Sequence, residues 1–305
     1  MSYTLELYFE RPVVRRSIDQ YFANRRHFRV SGNTIGYGNP DTEVHFSFHI
    51  RSSRNLLLRK VVRYAEFEVN YFRPSHFGLE AEIELSAFMA AFRPRIFDPQ
   101  IRGMGEGPYS REGFLRGWDF GNQVSIYQVL SADRDRKIWA MPANKLNAIW
   151  EWNYQSADRQ KILKNRRHLQ STMFITVEGR PSRAIIWSHG APVSLPEVDY
   201  VLLMRPVADG YRFGLVPWSE VLDVVQRAGL DTSKVPLDLQ YRVTPKPIEK
   251  WFADIPLADP SAFTRLHTYE VLDTELIAAA HESIAIGEID GAITINPPPR
   301  AAVAV

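Results

Sequence analysis

Glu43, His45, Ser47 and His49 alternate with Val44, Phe46, Phe48 and Ile50. Strict alternation predicts a half-buried strand, so the four polar residues share one face. Two imidazoles and a carboxylate form a usable ligand set for zinc or ferrous iron. Glu66 and Glu68, on a second alternating run (Ala65, Phe67, Val69, Tyr71), join that set if the two strands pair. Geometry restrains the idea: histidines four residues apart on a strand have alpha carbons about 13 Å apart, too far for easy joint ligation of one ion. The plainer expectation is a solvated sheet face with polar cross-strand pairs, and no metal or other cofactor.

Four further constellations carry chemistry-bearing residues. The stretch from Gly103 to Tyr109, GMGEGPY, is glycine-rich, but it lacks the GxxxxGK[ST] spacing of a phosphate cradle. Its nearest cations are Arg102 and Arg111, so a turn using glycine for positive φ is expected. Trp118, Asp119, Asn122, Trp150, Trp152, Asn153 and Tyr154 suit an aromatic, amide-lined pocket for a sugar, a base or a peptide. The same residues suit packing of a connector between two domains, which is the expectation here. Basic residues cluster at Arg15, Arg16, Arg25 and Arg26, at Arg51, Arg54, Arg59, Lys60 and Arg63, and over 159–167. Aligned on one face they would track phosphates, yet acidic runs at Glu80–Glu84 and Glu270–Asp290 offset them, and charge runs are ordinarily solvated faces. His189 lies in a Ser-His-Gly turn with no GxSxG elbow or HExxH beside it. No nucleophile–base–orienter set assembles from spacing, so no catalytic residue is assigned.

The elements that must position these residues read clearly in places. Tyr3, Leu5, Leu7 and Phe9 predict a strand, with Pro12 in the first turn of the helix that follows. Gly32-Asn33 marks a hairpin and Gly38-Asn39-Pro40 another turn. The stretch 51–60 reads as a loop with a short apolar tether. Phe77, Ala81, Leu85, Phe88 and Phe92 give a helix capped by Ser75 and stopped by Pro94. RIFD reads as a short strand and 99–109 as a loop. Ser110 caps a helix running to Leu130, whose Gly113, Gly117 and Gly121 imply close approach of another backbone. A helical segment over 142–169 is expected to pack through Ile149, Trp152 and Ile162. Strands TMFITVE, RAIIWS, DYVLLMR and YRFGLVPW follow, then helices from Pro217 to Ala228, at Trp251, and from an Asp273 cap to Gly287. Hairpins mixed with helices, without β-α-β alternation, predict an α+β fold: two regions of antiparallel or mixed sheet with packed helices, joined by a helical connector.

Length and composition agree. The chain has 305 residues, 45% of them hydrophobic and 24% charged, with net charge +2. That implies two domains: 1–135, a connector over 136–170, and 171–295, followed by a disordered tail over 296–305. Absence of cysteine excludes disulfides, thiolate metal sites and cysteine nucleophiles. No apolar window is long enough to span a membrane and no signal-peptide pattern opens the chain, so a cytoplasmic location is expected.

The segments GPYSREGFLRGWDFGNQ, EVNYFRPSHFGLEAE and WEWNYQSADRQ together resemble a family of bacterial proteins on the immunity side of toxin–immunity pairs. The resemblance covers most of the chain and implies a binding protein that neutralises a toxin or effector partner by occluding it, with no catalytic residues. Two surfaces are candidates for the contact: the loop carrying Arg102, Glu106, Tyr109, Arg111 and Arg116, and the sheet face near Glu43, His45 and His49. Two other functions remain open on the residues alone. One is a hydrolase or nucleotide-acting enzyme with a site between the regions; the other is a nucleic-acid-binding accessory protein using the arginines.

Overall fold

The computed structural model describes residues 1–54, 59–100, 102–133, 136–163, 168–188 and 191–285. The α+β expectation holds. The N-terminal half comprises β1 (Ser2–Val14), α1 (Arg15–Ala23), β2 (Phe28–Ser31), β3 (Thr34–Gly38), β4 (His45–Arg54) and β5 (Lys60–Asn70). It continues through α2 (His76–Phe92), β6 (Arg95–Asp98), β7 (Gly105–Gly107) and α3 (Arg111–Ala132). Its strands form one seven-stranded sheet in the order β2-β3-β4-β5-β1-β6-β7, antiparallel throughout.

Alternation along the strands decides which side is covered. Tyr3, Leu5, Leu7, Phe46, Phe48, Ile50, Ala65 and Phe67 point one way and meet Ile18 and Phe22 of α1, Phe77, Leu85 and Phe88 of α2, and Phe114 and Trp118 of α3. All three helices therefore lie on one side. Aromatic rings set the packing: Phe22 stacks on Phe88 at 5.6 Å, and Phe48 meets both.

The next elements are β8 (Trp139–Met141), α4 (Ala143–Leu163), β9 (His168–Leu169), β10 (Thr172–Val177), β11 (Arg180–Ser188), β12 (Val193–Leu195), β13 (Tyr200–Val207) and β14 (Gly210–Pro217). The chain then forms α5 (Trp218–Arg227), β15 (Leu237–Leu239), α6 (Lys246–Asp254), β16 (Phe263–Leu266), a 3-10 turn at Thr268–Glu270, β17 (Val271–Asp273) and α7 (Thr274–Ala285). A five-stranded mixed sheet, β14-β13-β11-β10-β16, carries a second core in which Trp187, Leu203 and Val216 pack against Val221 and Val225 of α5 and Phe252 of α6. Short sheets β15-β12-β9 and β17-β8 tie the connecting stretch to the C-terminal elements.

Several local expectations are corrected. Pro12 lies within β1 and not in a helix, because the strand bulges between Tyr8 and Val13 before pairing resumes. The stretch around 51–60 is strand at both flanks; 55–58 lie outside the described residues. Ser75 makes no side-chain cap: its backbone N–H donates to Asp273 Oδ2 at 2.7 Å instead. The loop over 99–109 contains the edge strand β7. Ile162 is 78% exposed, so it is not a packing residue. The glycines of α3 do mark close approach, but mainly of side chains. A Cβ at Gly117 would meet the Tyr3 hydroxyl at 2.7 Å, and one at Gly121 would run into the Tyr71 ring. His189, Gly287 and the tail lie outside the described residues. Among the described residues no helix is long and apolar enough to cross a membrane.

Candidate functional site

Among the described residues, no helix packs on the far side of the seven-stranded sheet. Residues opposite each other on neighbouring strands share a face, so the registers define rows across it. One row runs Thr34, His49, Glu66, Glu6, Phe97, Glu106. A second runs Arg51, Tyr64, Tyr8, Arg95, and a third Gly36, Ser47, Glu68, Thr4. Tyr8 is 43% exposed and its ring lies 5.1 Å from that of Tyr64. The Arg51 guanidinium sits over Tyr64 at 5.2 Å and donates to Glu66 Oε1 at 3.1 Å. The Tyr64 hydroxyl donates to the same oxygen at 2.6 Å, and the Tyr8 hydroxyl donates to Glu6. Desolvation, then the Glu6 carboxylate, pushes the Tyr8 hydroxyl up to about 12.

The metal set does not assemble. His49 Nε2 lies 3.2 Å from Glu68 Oε2 and 3.1 Å from Ser47 Oγ, while Glu66 is taken by Arg51 and Tyr64. His45 Nδ1 lies 3.2 Å from the Glu43 carbonyl, and its ring stands edge-on to Phe77 and Tyr269. Among the described residues no three His, Asp or Glu side chains are grouped to hold a metal. Glu43 leaves the shared face altogether. It precedes β4 at φ 60°, and its carboxylate takes the Thr268 N–H at 2.7 Å, His267 Nδ1 at 3.1 Å and Arg265 at 3.4 Å. A shallow cavity of about 290 Å³ beside His45, Ser47, Glu68 and Asn70 is the concave part of the face.

The glycine-rich loop does cradle an anion, and the anion is the chain's own Asp98. Buried Asp98 accepts the Tyr3 hydroxyl at 2.5 Å, the Gln100 N–H at 3.0 Å and the Met104 N–H at 2.8 Å. A side chain at Gly103 would collide with that carboxylate, and Gly105 adopts φ 63°. Of the loop's contact candidates, Tyr109 turns inward to Glu82 of α2 at 2.6 Å, and the exposed Arg111 reaches the same carboxylate at 3.3 Å. Arg102 lies over Phe120 at 4.8 Å, and its carbonyl accepts from Arg116 at 3.2 Å. Glu106 alone of them joins the open face.

The aromatic and amide residues resolve into separate clamps and not one pocket. Trp118 is fully buried against Gly78. Asn122 holds the turn before α2, accepting from the Phe72 N–H at 2.6 Å and donating to the Arg73 carbonyl at 2.5 Å. Asp119 beside it is pushed up to about 6 by burial and by the neighbouring Asp273 carboxylate. Asn153 fixes both backbone groups of Thr172 at 2.9 Å, and Trp152 donates to the Gln170 carbonyl at 2.9 Å. Trp152 also lines a cavity of about 400 Å³ with Lys145, Thr172 and Arg183, where Asp199 takes Arg183 at 3.0 Å and Lys145 at 3.6 Å.

The first arginine cluster is taken up by acidic neighbours, whereas the second stays together on the β4–β5 pair, with Arg54 opposite Lys60 and Arg63 exposed beside them, and 164–167 of the third lie outside the described residues. Arg15 is buried on Asp19 and the Gly32 carbonyl, Arg25 pairs with Glu84, and Arg26 reaches Asp158. Nor is the acidic run of α2 a solvated face. Glu80 has no exposure and accepts from Tyr37, Asn39 and Thr42, while Glu82 is 5% exposed. The signal was present: Glu80 and Glu84 fall on the Phe77–Ala81–Leu85–Phe88 stripe at helical spacing. Comparisons with protein-family models, curated proteins and solved structures returned no match to this chain.

Proposed function

We propose that this chain is a protein-binding module of the immunity type, which neutralises a toxin or effector by occluding it and contacts that partner through the open face of the seven-stranded sheet. One observation carries the reading. Among the described residues the face has no helix over it, and beside the bulge of β1 it holds Tyr8 and Tyr64 ring against ring with Arg51 over one of them. A solvated sheet face is ordinary in itself. Exposed Tyr and Arg side chains grouped on such a face are what binding hot spots are made of. The candidate ligand residues do not converge on one point: His49 meets Ser47 and Glu68, Glu66 meets Arg51 and Tyr64, and His45 meets the Glu43 carbonyl. A cytoplasmic location belongs to the proposal.

The test is affinity capture of the tagged chain from its host's lysate at moderate salt, followed by co-expression with the captured protein's gene. One stoichiometric partner whose toxicity the chain abolishes is the expected result. No protein partner, or a partner whose effect on growth the chain leaves unchanged, overturns the proposal.

A further inference from the structure

We infer that the surface seated on the open sheet face is a basic one, a protein segment presenting arginine or lysine side chains to Glu6 and Glu66. The inference rests on the occlusion reading above and names the chemistry of the partner.

Glu6 and Glu66 are direct cross-strand partners. Like charges opposite each other on neighbouring strands repel. Glu106 extends the same row beyond Phe97, and Glu68 lies two residues along β5 on the same face. Glu66 is ion-paired with Arg51, while Glu6 accepts only a neutral hydroxyl. Tyr8 takes Glu6 Oε2, Tyr64 and Arg51 take Glu66 Oε1, and His49 takes Glu68 Oε2. The second oxygen of each has no partner among the described residues. Four carboxylates thus stand on this face against three guanidinium groups, Arg51 and Arg95 in the tyrosine row and Arg29 on the edge strand opposite Gly36, with the half-exposed Tyr8 ring beside them.

Each rival occupant is disfavoured by the same charges. A second copy seated face to face sets these glutamates against themselves. An apolar partner strips water from them without replacing it. A lysine or arginine ridge supplies the missing donors and a cation for the open Tyr8 ring.

The experiment uses the full chain and a fluorescein-labelled arginine homopeptide, with a glutamate homopeptide as control, read by fluorescence anisotropy. The Glu6→Gln/Glu66→Gln double variant is compared with Glu151→Gln/Glu249→Gln, which removes the same charge from exposed helix positions. Expected is a ~5–10-fold loss of arginine-peptide affinity in the first variant, since two charge contacts are removed. Less than about a twofold change is expected in the second, whose sites are remote. Carbodiimide cross-links from a lysine homopeptide should map to Glu6 or Glu66.

Equal losses in both variants, or tighter binding of the glutamate peptide, overturn the inference. So does a dimer, by light scattering, that protects Tyr8. Thermal melting of the double variant guards against misfolding: relief of the like-charge pair should leave it at least as stable as the parent. The two proposals fail separately. A captured toxin whose cross-links avoid Glu6 and Glu66 sinks this inference and leaves the occlusion reading standing. Peptide binding as expected, with no captured partner, does the reverse.

Discussion

Glu80 Oε2, on a side chain with no solvent exposure, accepts the indole N–H of Trp150 at 2.7 Å. The bond joins α2, which packs on the sheet, to α4, which leads into the second half of the chain. Its other oxygen gathers Tyr37 at 2.7 Å, Asn39 at 2.8 Å and Thr42 at 3.1 Å from β3 and the turn after it. One carboxylate therefore fixes a helix, a hairpin turn and a connector together.

Replacing Glu80 with Leu strands four donors, three of them in buried bonds, so a loss of about 3–5 kcal/mol in urea unfolding is expected. Trp150→Phe removes one donor and keeps the ring, so about 1–2 kcal/mol is expected there. Equal losses would mean that the network is not centred on the carboxylate.

Asp119 gives the fold a pH dependence. Its folded value of about 6 lies above the ordinary 3.8, so its contribution is fully present below 3.8 and is lost as pH rises through about 6. Asp119→Asn should therefore be more stable than the parent by about 1–2 kcal/mol at pH 7.5, after discounting for partial exposure, with the advantage vanishing near pH 4. Melting curves across that range check it; a pH-independent difference would contradict it.

Glu43 closes the turn at Thr268 from 225 residues away in sequence. In Glu43→Ala, amide exchange over 263–270 should accelerate about tenfold or more, as the Thr268 N–H loses its acceptor. Exchange in β4 should change little.

Gly121→Ala should destabilise by about 1–3 kcal/mol, because the added methyl must displace the Tyr71 ring. Gly36→Ala, where a Cβ meets nothing within 4 Å, should be tolerated. Unfolding midpoints of the two variants make the comparison.

The alternating strands and the α2 stripe were legible because one-sided burial writes itself into period two and period 3.6. Ser110 as a cap was legible too, and it accepts the Gly113 N–H at 3.0 Å. The site was legible only in part. His49, Glu66 and Glu68 stood out by type, but Glu6, Tyr8 and Tyr64 become neighbours only through pairing of β1 with β5, across 60 residues of chain. Ser75 and Glu43 misled for the same reason: each finds its partner some 200 residues away, at Asp273 and Thr268, and local spacing holds no trace of that.

The strict alternation of β1, β4 and β5 also divides labour between neighbouring residues. Leu5, Leu7, Phe48 and Phe67 lie in the core, while Glu6, Tyr8, His49 and Glu66 between them lie on the opposite face and bond to neighbours there. Substitutions can accumulate in the second set without disturbing the first. If the open face is the recognition surface proposed above, its side chains can thus be rewritten one at a time on an unchanged scaffold.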